Sequence, residues 1–149
     1  MRTIIRWVLI ALVAVGLGID AYTHYDLASL YKFNRTSVIN EQFLFQFEAT
    51  LAIVVGLALI VRPNRLTAGL TFLVAGGGAA VLLLYRYNDV GRIGIIPDMY
   101  DPGWFTEKKW SLAGELIAVV GSLALIPLLP ANSSMRSILR RTGRTTSVA

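Results

Sequence analysis

The chain has no cysteine and a single histidine, His24, among its 149 residues. Without cysteine there can be no disulfide, thiolate zinc site, iron–sulfur cluster, covalently attached haem or dithiol redox centre, and no lipid anchor through Cys. One histidine cannot supply both axial ligands of a bis-histidine haem. Charge is scarce too: 15% of residues are charged, against about 25% in a soluble domain. With 55% of residues hydrophobic, too little polar surface is left to cover a soluble core. The net charge of +5 would ordinarily raise nucleic acid as a partner, but a nucleic-acid binder this apolar would be insoluble. No cofactor motif and no catalytic motif is evident, so an enzyme is not the first expectation.

What the chain does have is long apolar runs. A membrane-spanning helix needs about 20 mainly apolar residues. Residues 66–85 supply 20 with no charge, 42–61 supply 20 with Glu48 alone charged, and 111–129 supply 19 with Glu115 alone charged before Pro130. The first run, about 4–22, is flanked by Arg6 and Asp20. Arg2 and Arg6 ahead of an apolar run also fit a signal peptide. The exit Gly16-Leu17-Gly18-Ile19-Asp20-Ala21 is a poor small-x-small cleavage site, so a retained span is expected. The sequence therefore predicts an all-α integral membrane four-helix bundle over residues 1–130. Its spans are about 4–22, 42–61, 66–85 and 111–129, and its outer loops about 23–41 and 86–110. A basic tail over 131–149 is expected to be mobile. The short link Arg62-Pro63-Asn64-Arg65 makes the second and third spans antiparallel neighbours.

Basic residues set the orientation. Arg2, Arg6, Arg62, Arg65, Arg136, Arg140, Arg141 and Arg144 fall on one side, with no acid among them. The other side carries six basic residues and all nine acids, for a net −3. Both termini are therefore expected in the cytoplasm, and the protein in a plasma membrane as a multi-pass chain. In the tail, Met135, Ile138 and Leu139 are spaced to face a membrane. Arg136, Arg140 and Arg141 beside them are expected to contact anionic lipid, so nucleic acid is not needed to explain the basicity. Of 15 aromatic residues only Trp7 and Phe72 lie in the inner half. The outer aromatics fit an interfacial belt or an outward-facing pocket lined by rings.

Three acids lie within the apolar runs. Asp20 is 14 residues past Arg6, Glu48 is 14 before Arg62, and Glu115 is 15 before Pro130. At 1.5 Å per residue each stands roughly 21–23 Å above the inner boundary. Charged groups at such depth are costly and face the bundle interior. Arg86, at the outer end of the third span, leans toward the same level, and His24 is one helical turn beyond Asp20. The candidate polar cluster is thus Asp20, His24, Glu48, Arg86 and Glu115. Its simplest role is structural, with Arg86 paired to Glu48, Glu115 or both. Three acids against one arginine leave negative charge to be offset. That admits a divalent metal held by His24, Glu48 and Glu115, or acid–base work on an apolar substrate. At the same height the third span reads Gly76-Gly77-Gly78-Ala79-Ala80, which allows close helix packing or leaves space for a ligand. The apolar 86–110 loop is expected either to lie along the membrane surface or to close over the cluster. As a lid its principal residues would be Ile96, Pro97, Tyr100 and Trp104.

Five stretches carry a family resemblance: Asp20-Ala21-Tyr22-Thr23-His24-Tyr25-Asp26-Leu27, Phe45-Gln46-Phe47-Glu48-Ala49, Tyr85-Arg86-Tyr87-Asn88-Asp89-Val90-Gly91, Pro97-Asp98-Met99-Tyr100-Asp101-Pro102-Gly103-Trp104 and Ser111-Leu112-Ala113-Gly114-Glu115. Through them the chain resembles a group of small four-span actinobacterial membrane proteins, distantly DoxX-like in architecture. The resemblance implies a bacterial plasma membrane and transfers no activity. Three functions compete on the sequence: an accessory or scaffold membrane protein, alone, in a homo-oligomer or with other membrane subunits; a binder or acid–base processor of a lipid, quinone or other apolar molecule; and a divalent-metal protein. Membrane lipids are expected partners of all three.

Overall fold

The computed structural model describes residues 1–131. Within them the chain is helical, with no named strand: α1 (Arg2–Ala28), α2 (Glu41–Val61), α3 (Arg65–Tyr87) and α4 (Thr106–Leu125). Short 3₁₀ turns follow α1 at Ser29–Tyr31 and α4 at Ile126–Leu128. All four helices are long and apolar enough to cross a membrane. The expected tail contacts at Arg136, Arg140 and Arg141 lie outside the described residues.

The caps explain where the inner turn falls. Asn64 accepts hydrogen bonds from the backbone N–H of Leu66 (2.9 Å) and Thr67 (3.1 Å). The Thr67 hydroxyl accepts one from the Asn64 N–H in return, closing a capping box. Pro63 just before it cannot extend α2. Asn40 caps α2 through the Phe43 N–H at 2.8 Å. α1 runs past the expected end at Tyr22 to Ala28. No Gly or Pro occupies 22–28, and Thr23 and His24 both bond back to the Asp20 carbonyl, at 2.9 and 3.1 Å.

Each helix packs on its two neighbours in the order α1, α2, α3, α4, with α4 returning to α1, whose contact is the most extensive, while α2 and α3 touch least. The α1–α4 seam depends on glycine. A Cβ on Gly16 would stand 2.6 Å from the Gly114 carbonyl oxygen, and one on Gly114 would stand 2.5 Å from that of Gly16. Only hydrogen fits between these backbones, which is the small-residue packing that holds helices together where water cannot. Ile10, Val13, Leu17, Ala118 and Leu125 continue the buried seam. Large apolar side chains cover the outside along the whole bundle, among them Val15, Leu57, Leu73 and Val120. Such an exterior is stable against hydrocarbon and not against water.

Gly16→Val is expected to destabilise the bundle by roughly 1–3 kcal/mol through overpacking of the seam. Gly18→Ala, where a Cβ meets nothing within 4 Å, should be neutral or stabilising by up to about 1 kcal/mol. Thermal unfolding in detergent, followed by circular dichroism, checks the ordering. Equal melting temperatures for the two variants would refute it.

A carboxyl cluster beneath a capped cavity

The α1–α4 seam leads directly to the polar layer. Asp20 lies one turn above Gly16, and Glu115 follows Gly114. Both acids are fully buried. On α4, Ser111 shares the face of Glu115 one turn nearer the outer end, and its hydroxyl donates to Asp20 Oδ1 at 2.8 Å. His24 Nδ1 sits 2.9 Å from the same oxygen. Two donors thus converge on one Asp20 oxygen. Its other oxygen, Oδ2, has no hydrogen-bond partner.

Glu48 arrives from α2. One carboxylate oxygen from each of Asp20, Glu48 and Glu115 lies within 4.8 Å of the others. Room for them comes from Gly78 on α3. A Cβ there would collide with Glu115 Oε1 and stand 2.9 Å from Glu48 Oε1. Glycine at this point admits two carboxylates, so of the two expectations for Gly76-Gly77-Gly78, close packing and open space, Gly78 follows the second. Neither Glu115 oxygen has a hydrogen-bond partner, nor does Glu48 Oε1.

Arg86 stands outside this group, contrary to the expected pairing. Among the described residues the ion pairs are His24–Asp20 and Lys108–Asp101. The Arg86 guanidinium instead lies over the rings of Tyr87 and Trp104, at 5.0 and 5.1 Å from their centroids. Helix rotation is the reason. At 3.6 residues per turn, seven positions past Gly78 return Tyr85 to within about 20° of the same face, and the next residue swings about 80° away. Tyr85 is accordingly buried, its hydroxyl unpartnered.

Above the carboxyls is a cavity of about 270 Å³. His24, Glu48, Gly78 and Ser111 line its lower part, with Phe45 and Leu82 among its apolar walls. Phe45 packs edge-on against His24, with ring centroids 5.2 Å apart. Asp20 and Glu115 are not in the lining; they sit behind it. The segment between α3 and α4 forms the roof. Ile96 lines the cavity as expected of a lid, and Pro97 is fully buried. Tyr100 is exposed and does not line it, and Trp104 packs on Tyr87. Met99 and Phe105 take their place in the lining.

The roof is held at several points. Asn34 Nδ2 donates to the Asp98 carbonyl at 2.6 Å, and Thr36 Oγ1 to that of Ile95 at 2.9 Å. The Asp101 N–H donates to the Tyr85 carbonyl at 3.2 Å. Lys108 Nζ reaches Asp101 twice, through Oδ2 and the backbone carbonyl, each at 2.8 Å. Partial burial alone would push the Asp101 carboxyl up. Hydrogen bonds from Lys108, the Gly103 N–H and the Tyr31 hydroxyl, with the lysine charge, hold it below the usual carboxylate range. Glu41 also lines the cavity near its rim and accepts a 2.5 Å bond from Asn34 Nδ2. The sequence reading missed Tyr31, Glu41, Tyr85, Asp101, Lys108 and Ser111. Only Ser111 carried a usable signal, its one-turn spacing from Glu115.

A scan against protein-family models, a search of curated proteins and a search of solved structures each return no match for this chain.

Asp101 ties pH to the roof. Because its folded-state pKa is depressed, the stabilisation is complete above the ordinary carboxylate value of about 3.9 and is lost as pH falls through the lower folded value. Hydrogen exchange at the Asp101 and Gly103 amides, read by mass spectrometry, should stay slow from neutrality to about pH 4 and quicken below it, after correction for intrinsic rates. Lys108→Met should quicken it at neutral pH. Unchanged protection in that variant would rule out the ion pair as the tie.

Proposed function

We propose that this chain is a multi-pass protein of a bacterial plasma membrane that binds a small amphipathic molecule. The ligand has an apolar body and a head that donates hydrogen bonds or carries positive charge. Both termini are cytoplasmic in this reading, and the cavity lies toward the outer surface. Support for the orientation is the lack of acids beside Arg2, Arg6, Arg62 and Arg65, as the positive-inside rule requires. The actinobacterial, DoxX-like affinity belongs to the same proposal and rests on the five quoted stretches.

The observation that carries the binding reading is the lining of the cavity. Its volume of about 270 Å³ stands near the lower end of the roughly 300–1,000 Å³ of small-molecule sites, enough for one ring system or a short chain. Leu44, Phe45, Leu82 and Met99 supply apolar walls, while Glu48 offers an unpartnered acceptor at the base. Phe47, Gly77 and Val81 line the cavity and are also exposed on the exterior of α2 and α3. That edge opens where the two helices touch least, so a lipid-soluble molecule can enter sideways from the bilayer. An accessory or scaffold protein has no need of such a cavity, which sets binding ahead of that role. Acid–base turnover of the ligand would need a reacting group within reach of Glu48, and binding is the step the lining supports.

Gly77→Leu tests the reading. A Cβ on Gly77 meets nothing within 4 Å, so a side chain can start there without a backbone clash and extend over the open edge, and leucine favours the helix by about 1 kcal/mol. Native mass spectrometry of gently extracted wild-type protein is expected to show a bound non-protein mass. The variant should retain at least tenfold less of it, at an unchanged or higher melting temperature. Identical small-molecule content in the two proteins would sink the proposal.

A further inference from the structure

The three carboxyls behind the cavity wall need an explanation that the cavity does not provide. Asp20 and Glu115 have no exposed surface, and neither lines the cavity. An ionised carboxylate taken out of water is costly unless something offsets its charge. No lysine or arginine pairs with any of the three among the described residues. Two donors, from Ser111 and His24, are spent on one oxygen of Asp20.

The second observation is the aim of Glu115. It is fully buried and both its oxygens are unpartnered. Its Oε1 and the Oε1 of Glu48 converge over Gly78, at the one position on that face of α3 where a side chain would displace them. Two unpartnered acceptors brought to one place repel unless a cation or a proton offsets them.

We propose that Asp20, Glu48 and Glu115 bind one hard divalent cation. Oxygen ligands of a shared ion can stand apart by at most twice the metal–oxygen distance. Calcium–oxygen distances of about 2.3–2.6 Å permit separations up to about 4.6–5.2 Å, and magnesium's about 2.0–2.1 Å permit only about 4.0–4.2 Å. All three oxygens lie within 4.8 Å of one another, inside the limit for an ion of calcium size. An ion of charge +2 would offset most of the charge that three carboxylates without a lysine or arginine partner carry. His24 and Ser111 fix the rotamer of Asp20 as outer partners of a metal ligand do. Glu48 is shared between this site and the cavity wall, so the ion would lie just beneath whatever the cavity holds. The site stands without the cavity reading, because Asp20 and Glu115 are not cavity residues.

The test uses the full-length protein in detergent, stripped with a chelator and titrated with Mn²⁺, an oxygen-seeking probe whose free aqueous form gives a strong electron paramagnetic resonance signal. One saturable site per chain is expected, with Ca²⁺ displacing Mn²⁺ more effectively than Mg²⁺ does. Glu115→Gln and Asp20→Asn should each weaken Mn²⁺ binding at least tenfold. Glu41→Gln, an equal change of charge at the cavity rim, should leave it unaltered, as should Gly77→Leu. Size-exclusion profiles and melting curves report whether each variant folds. If one does not, the other carries the comparison, and the wild-type titration stands alone. The proposal is overturned by the absence of saturable Mn²⁺ binding up to about 1 mM, the weak end of the range for extracellular calcium modules. It is equally overturned by wild-type affinity in a folded Glu115→Gln protein, since a proton shared between the glutamates would then account for the geometry.

Discussion

A carboxyl group on a bilayer-length helix must turn away from lipid, and this constraint organises the bundle. Desolvation of a charge in hydrocarbon is far more expensive than any single packing contact. Asp20, Glu48 and Glu115 sit on three helices, so all three helices must present one narrow face inward at one height. The glycine seam makes that possible. With Gly16 against Gly114 at backbone distance, α1 and α4 are close enough for Asp20 to reach Ser111. Widening the seam by one methyl group would separate them. The core below is Ala, Val and Leu and could tolerate many rearrangements. The polar layer is more demanding, because the Ser111 and His24 donors must both reach one Asp20 oxygen.

The legible part of this architecture follows from which helix parameters sequence determines. Rise per residue is fixed, so counting from Arg6, Arg62 and Pro130 gives the three acids equal heights without any structure. The four apolar runs likewise stand out by length alone. Rotation about each axis is different, because it depends on which neighbour a helix meets and how closely. Arg86 illustrates the failure. Its height matches the cluster, but one residue is 100° of turn, and the inward face of α3 belongs to Gly78 and Tyr85. The glycines were ambiguous for the same reason. Gly76-Gly77-Gly78 invites a reading as a packing surface, yet the close backbone contact is made by isolated Gly16 and Gly114. An isolated glycine in an apolar run gives no sign of whether it faces a helix, a cavity or lipid. The roof was legible as a segment and not residue by residue. A loop has no periodicity, so Met99 and Phe105 could not be told from Tyr100 and Trp104.

The two ends of the bundle therefore differ in kind. At the end that carries the α2–α3 link the connection is short and the caps local: Asn64 and Thr67 satisfy one another, and the Arg65 side chain reaches the Leu129 carbonyl at 3.0 Å. The buried polar residues there include Thr67, Thr71 and Ser122. At the opposite end two long connections are tied to each other through Asn34, Thr36 and Asp98, and to the helices through Asp101, Lys108 and Tyr85. Such ties cost chain entropy, and a surface connector lying on lipid would not require them. Their geometric effect is to hold Ile96, Pro97 and Met99 over Glu48 and His24. A roof in that position separates the acidic base from outside water while the edge at Phe47, Gly77 and Val81 stays open to the side. Burial at Asp20 and Glu115 lowers the local dielectric and strengthens every interaction they make with a group that reaches them.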